Sequence, residues 1–144
     1  MADAQTCRAV AEFLENQVAP AGVEVVVAAP RFHRIRAEVR VQIADPAADA
    51  GLTVRGVIDA LNLYFDPIRG GDDEAGWVFG GPIRYIPLLR RLLSRVPSAS
   101  AIPRLNLLLD GVRFPSCADV PLAPHALLWP ETHEVTLEAP EARR

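Results

Sequence analysis

The sequence predicts an α+β fold, a two-layer sandwich of ferredoxin-like character in which helices cover one face of a mostly antiparallel sheet. Three observations lead to this prediction. Residues 34–43 alternate apolar and polar side chains, which is typical of a strand with one buried face. Three other segments repeat apolar residues at helical spacing. Helical and extended segments are interleaved along the chain, without an internal repeat.

Length and composition indicate one ordinary globular domain. The chain has 144 residues, of which 50% are hydrophobic, and a net charge of −3. Its basic residues are all arginines and are spread along the chain, which argues against a nucleic-acid face. We find no apolar run long enough to cross a bilayer and no export signal, so we expect a cytoplasmic protein. We predict a single domain over residues 1–139 and a frayed tail over residues 140–144.

The first elements are a helix and a strand. Residues 5–18 predict an amphipathic helix, which Pro20 ends. The β-branched segment 23–29 predicts a strand that stops at Pro30. Only a short link separates it from the alternating strand at residues 34–43, so we expect these two strands to pair antiparallel.

Two more helices follow the alternating strand. The first covers residues 52–65 and ends at Asp66-Pro67, since proline disfavours a helical residue before itself. Its predicted buried stripe is Val54, Val57, Ile58, Leu61 and Phe65. The other helix carries Pro87 in its first turn. Its apolar face is predicted to be Leu88, Leu89, Leu92, Leu93 and Val96, with Arg90, Arg91 and Arg95 facing out.

Two strands are predicted in the last third of the chain. The first covers residues 101–109, and Pro103 places its start at a sheet edge or a bulge. Residues 110–111 form a turn. Residues 112–131 are rich in proline and are expected to be irregular. Residues 132–138 alternate again and predict the final strand.

Residues that could carry catalysis or bind metal are dispersed. They are His33, His125, His133, Cys7 and Cys117. None has the spacing of a metal site or of a nucleophile with its base, so no catalytic residue, metal ligand or cofactor is predicted. We interpret the histidines as surface or strand-end residues, and the cysteines as buried or half-buried small apolar residues.

Residues 70–81 form the most distinctive stretch, with five glycines, three acids and two aromatic residues. The glycines predicted to shape this loop are Gly70, Gly71, Gly76 and Gly80. The acids, Asp72, Asp73 and Glu74, lack the spacing of a calcium loop, so we interpret them as a solvated turn. Trp77 and Phe79 are costly to leave in water, so they must pack either on their own domain or on a neighbour.

The order of these features resembles a known family. The segments that carry the resemblance are Pro30-Arg31-Phe32, Leu63-Tyr64-Phe65-Asp66-Pro67, Gly70-Gly71, Gly76-Trp77-Val78-Phe79-Gly80 and Val96-Pro97. In this order they are similar to the C-terminal region of baseplate J-like proteins, the wedge components of contractile phage tails and contractile injection systems. The resemblance extends from about Cys7 to Leu137. The chain departs from the family pattern at Val78, Gly81 and Ser98.

The resemblance implies a structural protein without enzymatic activity or cofactor. Its implied partners are other wedge subunits, a second copy or a longer paralogue, the hub and spike, the tube and the sheath initiator proteins, with neither nucleic acid nor membrane insertion. Trp, Tyr, Phe and Arg are frequent interface anchors, so the predicted contact residues are Trp77, Phe79, Arg84 and Tyr85. One alternative is a free-standing module that binds a small molecule or peptide. Another is an enzyme that uses Asp73 or Glu74 with a histidine.

Overall fold

Residues 3–138 are the part of the chain that the computed structural model describes. Three helices and five strands are assigned there: α1 (Ala4–Gln17), β1 (Arg31–Ile43), α2 (Ala50–Tyr64), α3 (Tyr85–Arg95), β2 (Ala99–Leu109), β3 (Val112–Arg113), β4 (Ala126–Pro130) and β5 (Glu134–Glu138). The chain divides into two compact units, one up to Arg31 and one from Phe32 onward. The single domain over residues 1–139 stays a prediction, and the tail at 140–144 lies outside the described residues.

The first unit contains α1 and the segment that follows it. The Asp3 carboxylate accepts a hydrogen bond from the Thr6 N–H and caps the helix. No residue of α1 is buried, and the Phe13 side chain is 60% exposed. The strand predicted at residues 23–29 is wrong, because this segment forms no strand. The physical reason is that strands from later in the sequence occupy both edges of β1, where it was expected to pair.

β1 is the centre of the five-stranded sheet. The predicted alternation is confirmed: Ile35, Ala37, Val39 and Val41 are each at most 2% exposed. β2 runs antiparallel along one edge of β1. On the other edge β1 neighbours β4 and pairs in parallel with β5 over Glu38–Gln42. The strand that the sequence indicates most clearly therefore organises the whole sheet.

β2 contains a bulge at the predicted proline. Arg40 lies opposite Arg104 and Gln42 opposite Ala101, so two residues of β2, one of them Pro103, face a single residue of β1. β2 then turns into β3 through Asp110 and Gly111, whose φ angles are 49° and 81°. Two positive φ angles suit the tight turn of a two-residue hairpin. The predicted turn is confirmed.

The helices of the second unit cover one face of the sheet. α2 packs on β5 and on α3, while α3 packs on β2. Leu61 and Phe65 of the predicted α2 stripe and Leu88 and Leu92 of the α3 stripe are completely buried. The predicted two-layer α+β class is confirmed. No helix within residues 3–138 is both long enough and apolar enough to traverse a membrane.

The expectation of irregular structure over residues 112–131 is wrong for β3 and β4, whereas residues 114–125 between them form only turns and an isolated bridge at Val120. Leu127 and Leu128 of β4 are both buried although they are neighbours. Two adjacent buried residues break the period-two pattern by which a strand is recognised. Prolines also stand close to both ends of this five-residue strand, at Pro124 and Pro130, and proline is a signal of turns.

Candidate functional site

The loop after α2 folds back onto the C-terminal end of that helix. The Gly71 N–H donates to the Tyr64 carbonyl oxygen at 2.8 Å, and the Gly70 N–H donates to the Asp66 carbonyl oxygen at 2.8 Å. Farther along, the Trp77 N–H donates to the Pro67 carbonyl oxygen at 2.9 Å. Tyr64 is the last residue of α2, and the last carbonyl groups of a helix have no partner within the helix, so the bond from Gly71 satisfies a group that would otherwise need water. The loop is therefore an extension of the helix end.

Glycine is required where this loop approaches the helix most closely. A Cβ atom on Gly70 would lie 2.2 Å from the Tyr64 carbonyl oxygen and 2.4 Å from the Asp66 carbonyl oxygen. No side chain fits at such distances without moving the backbone. Gly71, Gly76 and Gly80, which the sequence also selects as loop-shaping, have positive φ angles.

Asp72 fastens the loop to α2 and to the start of α3. Its Oδ1 accepts a hydrogen bond from the Tyr64 hydroxyl at 2.6 Å, and its Oδ2 lies 2.8 Å from the Arg84 Nε. Burial, followed by this contact with Asp72, raises the pKa of the Tyr64 hydroxyl, which therefore stays protonated and donates. The interpretation of Asp72 as part of a solvated turn is wrong, because its carboxylate is bonded to the hydroxyl of the buried Tyr64 of α2.

Glu74 fastens the same loop to the middle of α3. Its Oε1 contacts the guanidinium groups of Arg91 and Arg95, which are one helical turn apart. Arg91 also donates to the Asp72 carbonyl oxygen. The Arg91 side chain is only 22% exposed, so the prediction that it faces out is wrong. Asp73, between the two fastening acids, is exposed.

Trp77 is the hydrophobic anchor of the loop within its own chain. Its ring packs edge to face on Tyr64, with the ring centroids 5.6 Å apart, and its Nε1–H donates to the Gly81 carbonyl oxygen at 3.0 Å. Tyr85, the first residue of α3, is also buried, and its N–H donates to Asp119. Two of the four predicted contact residues, Trp77 and Tyr85, are thus buried within the fold of this chain.

The other two predicted contact residues, Phe79 and Arg84, are exposed. Phe79 is 58% exposed, and its neighbour Val78 is 75% exposed. We call Val78 and Phe79 the loop tip. Trp77 holds the tip on one side, and on the other the Gly80 N–H donates to the Ala126 carbonyl oxygen of β4 at 3.1 Å. Two apolar side chains are therefore displayed to solvent from a backbone that is tied down at both ends.

His133 is a strand-end histidine, one of the two alternatives expected from the sequence, and it is buried. It is 5% exposed, lies directly before β5, and its Nδ1 accepts a hydrogen bond from the Ala37 N–H at 3.0 Å. The side chain thus accepts a hydrogen bond from a backbone N–H group of β1 at the point where the chain passes from β4 to β5. Burial, with a smaller effect from the charge of Arg36, lowers the pKa of His133 to about 4. Its Nε2 is buried and has no hydrogen-bond partner within the described residues.

The other candidate residues are separate from one another. His33 Nδ1 lies 2.6 Å from Asp110 Oδ2 at the start of β1, and His125 is exposed. Cys7 is half-buried as expected, but Cys117 is exposed, which corrects the expectation for that residue. Cys117 lies outside the strands with a φ of 63°, where the chain is turning at the surface. Within residues 3–138, no three His, Cys, Asp or Glu side chains are grouped so that they could hold a metal ion.

The chain matches no protein family model and no curated protein. The candidate site is therefore defined by geometry. It consists of the loop tip, Arg84, and the two acids that fasten the loop to the helices.

One exposed surface was missed by the sequence reasoning. Trp129 at the end of β4 is 58% exposed and packs edge to face on Phe32, with the ring centroids 5.8 Å apart. It borders a groove of about 620 Å³ that Arg34 and His133 also line. The sequence did contain a signal for this surface, a tryptophan directly after two leucines. The surrounding prolines made that segment look irregular, so no strand was predicted there.

Proposed function

We propose that this chain is a structural wedge component of a contractile phage tail or contractile injection system, which helps to assemble the baseplate ring around hub and spike without catalysing a reaction. The observation that carries the proposal is the loop tip: Val78 and Phe79 are exposed on a loop fastened by Asp72, Glu74 and Trp77. The resemblance of the surrounding sequence to baseplate J-like proteins supplies the biological setting.

A tip of this kind suits a permanent contact between subunits. Association costs free energy when flexible groups must be ordered, and a loop that is already ordered avoids much of that cost. Aromatic and arginine side chains are the most frequent interface anchors, which favours Phe79 and Arg84 as the contact residues. The proposed partner is another wedge subunit, either a second copy of this chain or a longer paralogue.

The ion pairs of the loop support a structural role over an acid–base role for its acids. Glu74, which an enzyme could use as a base, contacts the guanidinium groups of Arg91 and Arg95. The Glu74 Oε1 is therefore already held by two partners within the chain. Asp72 is likewise held by Tyr64 and Arg84.

Co-purification with the proteins encoded by neighbouring genes tests this proposal. Phe79→Ser is expected to weaken retention of a wedge partner by about 30-fold, as expected for the loss of an interface anchor. The thermal melting of the isolated chain should stay unchanged, since the Phe79 ring is mostly exposed. Val112→Ser is the matched control, because Val112 is 63% exposed on β3. Equal retention of both variants, or recovery of the chain without any associated particle protein, would contradict the proposal.

A further inference from the structure

We propose that the groove beside Trp129 is a binding site for a small planar aromatic carboxylate. The groove is lined by residues of β1, of α2 and of the segment from Trp129 to His133, so three parts of the second unit contribute to it. Its volume of about 620 Å³ falls within the range of small-molecule sites. The inference goes beyond the proposed assembly role and does not rest on it.

One wall of the groove presents an aromatic surface in a fixed orientation. The Phe32 ring packs against Trp129 at an interplanar angle of 84°, which restrains the indole although it is 58% exposed. Ile58 and Asn62 of α2 also line the groove. A planar ring that enters it can stack on the indole, and such contacts contribute beyond the area that they bury.

A cation and an amide accompany this aromatic surface. The Arg34 side chain is 73% exposed, and its guanidinium pairs at 3.5 Å with the carboxylate of Glu131, which also lines the groove. No hydrogen bond joins the two, so a ligand carboxylate would replace Glu131 as the partner of Arg34. Arginine has five N–H donors in a planar fork, which matches the two oxygens of a carboxylate. The side chain of Asn62 is a further donor. Arg34 and Trp129 together therefore favour a ligand that joins an aromatic ring to a carboxylate.

The buried imidazole of His133 provides a second reason to expect a ligand. Its Nδ1 accepts from Ala37, so in the neutral ring the proton is on Nε2. The two nitrogens point in different directions from the ring, and Nε2 therefore points away from the Ala37 N–H. Nε2 is buried and donates to no atom in residues 3–138. A buried donor without an acceptor is costly, and because His133 lines the groove, a ligand oxygen that displaced the groups covering Nε2 would satisfy it.

Titration with benzoate, followed by the indole N–H signals in ¹⁵N–¹H NMR spectra, tests the site. The chain has only two tryptophans. We expect the Trp129 signal to shift in a saturable way with a dissociation constant of about 1 mM, as for other ligands of this size. The Trp77 signal should not move, because its ring is buried and its N–H is bonded to Gly81. Cyclohexanecarboxylate, which has the same charge but is not planar, should bind more weakly.

Arg34→Gln and Arg104→Gln make the matched pair of variants, because both arginines are exposed and only Arg34 lines this groove. Arg34→Gln is expected to raise the dissociation constant for benzoate about tenfold, as for loss of a charge-assisted hydrogen bond. Arg104→Gln should leave it unchanged. The inference is overturned if benzoate at about 20 mM, well above this dissociation constant, does not shift the Trp129 signal. Equal movement of both indole signals, or equal effects of the two variants, would also overturn it.

Discussion

The two tryptophans of the chain occupy opposite environments on elements that touch each other. Trp77 is 8% exposed, and its N–H is bonded to a backbone carbonyl group of its own loop. Trp129 is 58% exposed and its ring is held by a single aromatic neighbour. The loop that carries Trp77 ends at Gly80, which donates to Ala126 at the start of the strand that carries Trp129. One indole thus stabilises the fold, while the other is available to a ligand.

What separates the two indoles is the number of independent restraints around each. The Trp77 region has an aromatic cluster, backbone bonds to the end of α2, and ion pairs to α3. The Trp129 region has the edge of the sheet and the buried imidazole of His133. A large aromatic residue is therefore informative about function only after its hydrogen-bond partners are known.

The largest expected effect distinguishes the two indoles directly. Trp77→Ala should lower the free energy of unfolding by about 3–5 kcal/mol, because it leaves a cavity beside Tyr64 and Phe65. Trp129→Ala should change it by only about 0.5 kcal/mol, as for most exposed side chains. Denaturant unfolding followed by circular dichroism measures both. If the two variants were equally stable, the contrast between the regions would be wrong.

A smaller effect concerns the close approach that holds the Trp77 loop on α2. Gly70→Ala should cost about 3 kcal/mol, because its Cβ would overlap three backbone carbonyl oxygens. Gly56→Ala is the control: its Cβ would meet only Val96 at an ordinary 3.6 Å. Alanine also has the higher helix propensity, so this control should be neutral or slightly stabilising. A Gly70→Ala variant that melts with the wild type would disprove the tight packing of the loop.

The next effect concerns the Trp129 region and depends on pH. The pKa of His133 is about 4 in the folded chain and 6.5 when unperturbed. Between these values the unfolded chain binds a proton that the folded chain does not, so stability must fall as the pH drops from 6.5 towards 4. The free energy of unfolding should decrease by about 2 kcal/mol more in the wild type than in His133→Gln between pH 7 and pH 4.5. Equal pH dependence in denaturant titrations would place His133 in contact with water.

The sequence predicted those elements in which one periodicity is strong. β1 shows period two over ten residues, and α2 and α3 show helical spacing with proline signals at their ends. The hairpin turn at Asp110-Gly111 and the bulge at Pro103 were predictable because each depends on the backbone chemistry of the one or two residues that form it.

Two other features were not predictable, because they depend on contacts between residues distant in sequence. The segment 23–29 has strand composition, but both edges of β1 are filled by strands that come later. The acids at positions 72 and 74 look solvated until folding brings Tyr64 and Arg84 to the first of them and the arginines of α3 to the second. The composition of a segment indicates its own structural preference, whereas these two outcomes depend on contacts with residues elsewhere in the sequence.

The bulge at Pro103 has a consequence for crowded copies of the chain. Within residues 3–138, β3 pairs with only Leu108 and Leu109, so the edge of β2 that faces away from β1 is uncovered over the earlier part of the strand. An exposed row of backbone amides is a template for strands of neighbouring molecules, and a proline with a local bulge makes such an edge a poorer template. We therefore expect this edge of the sheet not to start a fibril when many copies of the chain are concentrated in one place.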